Sequence, residues 1–127
     1  MKTIIDFYKG AYGPTIIISV KEKDWLIWFR NEIAKLKESN SYNINLIDGE
    51  RVFHERIVSV RILKSNEHLL LRTKTKNKTD AVFMWYLDDE KIEDIIDSVD
   101  NLIYADGPGH YYFHEGRPAL VEFSYKE

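Results

Sequence analysis

The spacing of apolar residues changes period several times along the chain, and each change predicts an element. Residues 15–20, "TIIISV", form a β-branched run behind a Gly13-Pro14 breaker, the pattern of a strand buried on both faces. The preceding "TIIDFY" predicts a second, shorter strand. From about Glu22 the apolar positions shift to helical spacing. Trp25, Trp28, Phe29, Glu32, Ile33 and Leu36 recur at that spacing, while Lys23, Arg30, Asn31, Lys35 and Lys37 fall mostly on other faces. A helix is predicted over residues 21–38, ended by "SNSYN", whose Ser and Asn side chains compete for backbone hydrogen bonds and favour turns.

Four strand-like stretches follow, "YNINLID", "RIVSVRIL", "HLLLRTKT" and "AVFMWYL". The polar separators "DGE", "KSNE" and "KNKTD" have lengths that suit hairpins, so an antiparallel meander is the simplest topology. Within "RIVSVRIL", Val58, Val60 and Ile62 alternate with Ser59 and Arg61, as a half-buried strand requires. A second helix is predicted from Asp88 or Asp89, acids suited to a cap and first turn. Its apolar stripe is Ile92, Ile95, Ile96, Val99, Leu102 and Ile103, opposite Glu93, Asp94, Asp97 and Asp100. Finally "HYYFH" and "ALVEFSY" can pair across "EGRP", with Val121, Phe123 and Tyr125 on one face. The expected fold is α+β, one domain over residues 1–127, with two helices on one face of an antiparallel sheet of about five to seven strands.

Composition agrees with a globular chain: 127 residues, 44% hydrophobic, 13% aromatic and 31% charged. Cysteine is absent, which excludes disulfides, thiolate zinc sites and a cysteine nucleophile, and fits a reducing compartment. Asp6 and Lys9 interrupt the apolar start, so it reads as mature structure rather than a signal peptide. No stretch reaches the roughly 20 apolar residues of a membrane span. The expectation is a cytoplasmic protein without a membrane partner. The net charge of −3 hides an uneven distribution. Residues 87–106 hold eight acids against the single Lys91, a net −7, and the rest of the chain carries +4.

Candidate chemistry narrows under the same reading. His110 and His114 have H-x-x-x-H spacing, but glycines bound them in a strand-like segment. Strand rise would separate them by roughly 13 Å, too far for two ligands of one metal. Tyr111, Tyr112 and Phe113 could stack on bases, yet such platforms need a basic groove beside them, and the preceding helix is acidic. Cross-strand aromatic packing fits better. Arg72, Lys74, Lys76 and Lys78 alternate along one strand face, either as a phosphate-contacting stripe or as lysines that block edge-to-edge aggregation. No nucleophile elbow and no phosphate-binding glycine loop occurs. The chain is therefore read as a binding protein rather than an enzyme, with no catalytic residue, cofactor or metal ligand assigned.

The second helix is the most informative feature. Asp97 and Asp100 sit in its C-terminal half, where negative charge opposes the helix dipole by about 0.3–1 kcal/mol each. A wanted negative surface facing a basic partner would explain them; an ordinary solvated acidic face would too. The C-terminal "GHYYFHEGRPALVEFSYKE" resembles small bacterial immunity proteins of polymorphic or contact-dependent toxin systems, in the pattern Gly-His-x-Tyr before a final strand ending Val-Glu-x-Ser-Tyr-x-Glu. The matching residues are Gly109, His110, Tyr112, Val121, Glu122, Ser124, Tyr125 and Glu127. Tyr111 stands where the pattern more often has Gln, and the 113–117 turn is short.

The resemblance implies a protein that occludes a cognate toxin, a nuclease among the candidates, by covering its basic groove. The expected partner-binding residues are Asp89, Glu93, Asp94, Asp97 and Asp100 for charge, with Tyr111, Tyr112 and His114 as anchors. Two other readings stay open. One is a nucleic-acid-associated accessory protein using Arg72, Lys74, Lys76 and Lys78, a reading the net charge weighs against; the other is a homodimeric small-ligand-binding sheet protein.

Overall fold

The computed structural model describes residues 2–10, 13–47, 52–54, 56–73, 81–114 and 119–127. Among these the chain forms, in order, β1 (Thr3–Gly10), β2 (Gly13–Val20), α1 (Lys23–Glu38), β3 (Asn43–Asn45), β4 (Val52–Phe53), β5 (Ile57–Lys64), β6 (Leu69–Thr73), β7 (Ala81–Leu87), α2 (Asp89–Ala105), β8 (Gly109–His114) and β9 (Leu120–Tyr125). The fold is α+β with two helices. Its strands make a five-stranded sheet, β4-β1-β2-β9-β8, and a four-stranded sheet, β3-β5-β7-β6.

The expected single antiparallel sheet is thus replaced by two mixed ones. β1 pairs antiparallel with β2, and β8 with β9, but β2 runs parallel to β9, β1 to β4 and β5 to β7. The meander gives way because β7 enters between β5 and β6. Alternation tells a residue which face to take, not which strand lies beside it. Placing the apolar run "AVFMWYL" centrally gives it two neighbours and leaves β6, with its exposed Arg72, at an edge. The same logic puts β2 in the middle of the larger sheet, with the antiparallel hairpin mate β1 on one side and β9 on the other.

Each sheet face has a distinct environment. On the inner face of the larger sheet Ile5, Ile16, Ile18, Val20, Val121, Phe123 and Tyr125 are buried. Phe123 lies 5.0 Å from the Phe29 ring and 6.4 Å from the Trp25 ring, so α1 covers this side. Phe7, on the same face, meets Phe83 of the smaller sheet at 5.4 Å. The outer face presents Ile4, Ile17, Glu122 and Tyr112 to solvent in part or in large part.

The helices bury most of the stripes read from their sequences: Trp25, Phe29, Ile33 and Leu36 from α1, joined by Leu26 while Trp28 is only half-buried, and Ile92, Ile95, Ile96, Val99 and Leu102 from α2, with Ile103 half-buried. Each such side chain contributes about 1.5–3 kcal/mol on burial, several times a surface ion pair. Packing therefore holds the helix pair together, and charge only adjusts it. Asp88 caps α2, its Oδ1 accepting from Lys91 N at 2.8 Å. At the other end Asp106 adopts a left-handed conformation, φ 50°, and its N–H donates to Leu102 O. Glycine is usual there. Asp106 is instead held by the Tyr125 hydroxyl, which donates at 2.7 Å, and by Lys126 Nζ at 3.1 Å.

Candidate functional site

The acids of α2 divide into two flanks. One flank faces α1, which runs antiparallel to it. Arg30 donates to both oxygens of Asp100, at 3.0 and 3.5 Å, and Lys37 pairs with Glu93. Lys23 approaches Asp106 at 3.9 Å, so Lys23, Arg30 and Lys37, spaced by seven residues, form a ladder with Asp106, Asp100 and Glu93. In the sequence these cations fall mostly off the apolar face of α1, and in the fold they lie beside the acids of the neighbouring helix. The burden that Asp100 places on the helix dipole is answered by Arg30, without any outside partner.

The other flank is open. Glu90, Asp94 and Asp97 are exposed and make no ion pair among the described residues, whereas Asp89 meets Lys64 at 3.3 Å. The spacing continues through Asn101 to Tyr104, which is 94% exposed, a large apolar ring left in water at the end of an acidic stripe. Tyr104 escaped the sequence reading because its position just past the stripe gives no signal until the helix phase is fixed.

The three expected aromatic and histidine anchors do not share one surface. Tyr111 is half-buried on the inner face and stacks on Phe113 at 6.1 Å. His114 is only 7% exposed, and its ring meets His68 edge-on at 5.9 Å. His68 in turn approaches the cap residue Asp88 at 3.7 Å. The meeting of His68 and His114 spans 46 residues of sequence and has no spacing signature. Tyr112 alone projects outward, 44% exposed, on the opposite face of the sheet. His110 is also outward, paired with Glu127 at 3.0 Å, so the two histidines of the H-x-x-x-H spacing are not brought together. Among the described residues no group of three or more His, Asp and Glu could hold a metal ion.

The C-terminal pattern now has a physical content. Gly109 passes so close beneath α2 that a Cβ there would stand 2.7 Å from Leu102 Cδ2. The Tyr125 hydroxyl reaches Asp106; burial first, and then that hydrogen bond, push its pKa up to about 12. Asp106 is held below the usual carboxylate range, chiefly by the Tyr125 bond and then by Lys126. Of the basic stripe, Arg72 lies over the Phe7 ring at 5.0 Å, a contact that occupies its guanidinium. Lys74, Lys76 and Lys78 lie outside the described residues, as does the turn of the terminal hairpin. No described helix is long and apolar enough to cross a membrane. Compared with family models, with curated proteins and with solved structures, the chain matches none.

Proposed function

We propose that the protein is an inhibitor of the immunity type, which binds a basic toxin of nuclease character and covers its substrate groove with the outward flank of α2. The observation that carries this reading is the contrast within one helix. Glu93, Asp100 and Asp89 meet cations of the same chain, while Glu90, Asp94 and Asp97 remain exposed without one among the described residues. An acidic strip of this kind complements the positive groove through which a nuclease holds its phosphate backbone. Tyr104 supplies the rigid aromatic anchor that such interfaces favour. The resemblance of residues 109–127 to immunity proteins points the same way. The hairpin contributes packing that fixes α2, through Gly109 and Tyr125, rather than an extension of the acidic face.

The test is co-expression with the product of the adjacent reading frame. The parent protein is expected to form a complex and protect the cell, and a variant carrying Asp94→Lys and Asp97→Lys is expected to fold yet fail to protect. Absence of a complex with the parent protein would overturn the reading.

A further inference from the structure

A second site lies on the outer face of the five-stranded sheet, away from both helices. Its residues are brought together by register rather than by sequence. Asp6, Ile17, Glu122 and Tyr112 stand side by side across β1, β2, β9 and β8. Asp6 is already engaged: Arg56 grips both of its oxygens, at 3.3 and 2.6 Å, and holds its carboxyl below the usual range. Glu122 is different. It is half-buried, and its Oε2 accepts the Tyr8 hydroxyl at 3.3 Å, while Oε1 has no partner among the described residues. Tyr112 is its direct cross-strand neighbour, with the ring braced edge-on by His110 at 6.0 Å. His110 is itself tied to Glu127. Around this group Ile17, the cross-strand neighbour of Glu122, and Leu120, two positions along β9, are half-buried on the same outer face.

We propose that Glu122, Tyr8 and Tyr112 form a receptor for one cationic side chain of a partner protein, an arginine or lysine. A carboxylate oxygen left open between two phenol rings offers a cation both charge and ring faces, and partial burial strengthens each attraction. The surrounding apolar residues would cover the aliphatic stem of such a side chain. The row holds two acids and no base of its own, and Arg56, which reaches it from before β5, is spent on Asp6, so the complementary group is positive. The site does not depend on the toxin reading, because it occupies a different surface from the α2 strip.

The experiment is an amide-shift titration of the whole protein with arginine amide, using citrulline amide as the uncharged isostere. Arginine amide is expected to bind saturably in the millimolar range, with shifts centred on Tyr8, Ile17, Tyr112 and Glu122. Glu122→Gln should weaken it about tenfold, and Tyr112→Leu, which keeps an apolar side chain at the position, should weaken it several-fold. The Asp94→Lys and Asp97→Lys variant should bind as the parent does. Equal shifts with citrulline amide, absence of saturation, or loss of binding on reversing Asp94 and Asp97 but not on Glu122→Gln would each overturn the proposal. Thermal melting of every variant separates lost binding from lost fold.

Discussion

The two flanks of α2 carry similar numbers of acids and meet different fates. Along the seam with α1, Glu93 and Asp100 are matched at seven-residue intervals by Lys37 and Arg30, and the charge of the segment is turned inward. On the far side Glu90, Asp94 and Asp97 meet only solvent among the described residues. The net −7 of residues 87–106 is therefore two features, one that aligns helices and one that faces outward. Only the second is free to act on another molecule.

Substitutions can break this comparison in order of size. The largest effect belongs to neither flank but to the stripe between them. Ile96→Asp buries an unpaired carboxylate in the helix–sheet core, and should cost several kcal/mol or abolish cooperative folding. Denaturant titration reads this directly, and a parent-like midpoint would mean that the helix phase is misassigned. At the C-terminal end of the seam, the Tyr125–Asp106 bond adds a pH dependence. The folded phenol keeps its proton up to about 12, against an ordinary 10.0. Between those values the folded state binds more protons than the unfolded one, so stability should fall as pH rises through the window. Tyr125→Phe should remove that alkaline component. On the acid side the depressed Asp106 and Asp6 work in the opposite sense: their stabilisation is complete above the ordinary carboxylate value of 3.8 and is lost as pH falls through their lower folded values.

Smaller effects separate the flanks themselves. Arg30→Glu breaks the bond to Asp100 and adds a like charge beside it, for a loss of about 1 kcal/mol that added salt should partly relieve. Reversing Asp94 and Asp97 should change stability by no more than about 0.5 kcal/mol. A destabilisation by Asp94→Lys equal to that of Arg30→Glu would erase the distinction.

Much of this was legible in the sequence, and the reasons for the remainder are physical. The period of 3.6 gave the α1 stripe through Leu36 and the α2 stripe through Leu102, and Asp88 was readable as a cap from its place before the stripe. The β-branched run of β2 indicated a strand with both faces covered; β2 does lie at the centre of its sheet, but no described helix covers its outer side, where Ile17 and Ser19 are only half-buried. Strand neighbours were hidden, because period-two alternation is the same whether β7 pairs with β6 alone or slips in beside β5. The splitting of the strands into two sheets follows from those pairings. In the site, the ladder was latent in the spacing of Lys23, Arg30 and Lys37, but its meaning needed the antiparallel partner helix. The meetings of His68 with His114 and of Tyr8 with Glu122 join residues 46 and 114 positions apart, beyond any local pattern.

The central claim is that the outward flank of α2 steers a basic partner. It is tested most directly by the association rate between this protein and the product of the adjacent reading frame, measured at about 0.05 M and about 0.5 M ionic strength. The account predicts that the parent associates about tenfold faster at the lower salt, and that the variant carrying Asp94→Lys and Asp97→Lys associates slowly at both with little salt dependence. Equal rates and an equal salt slope for the two proteins would contradict it.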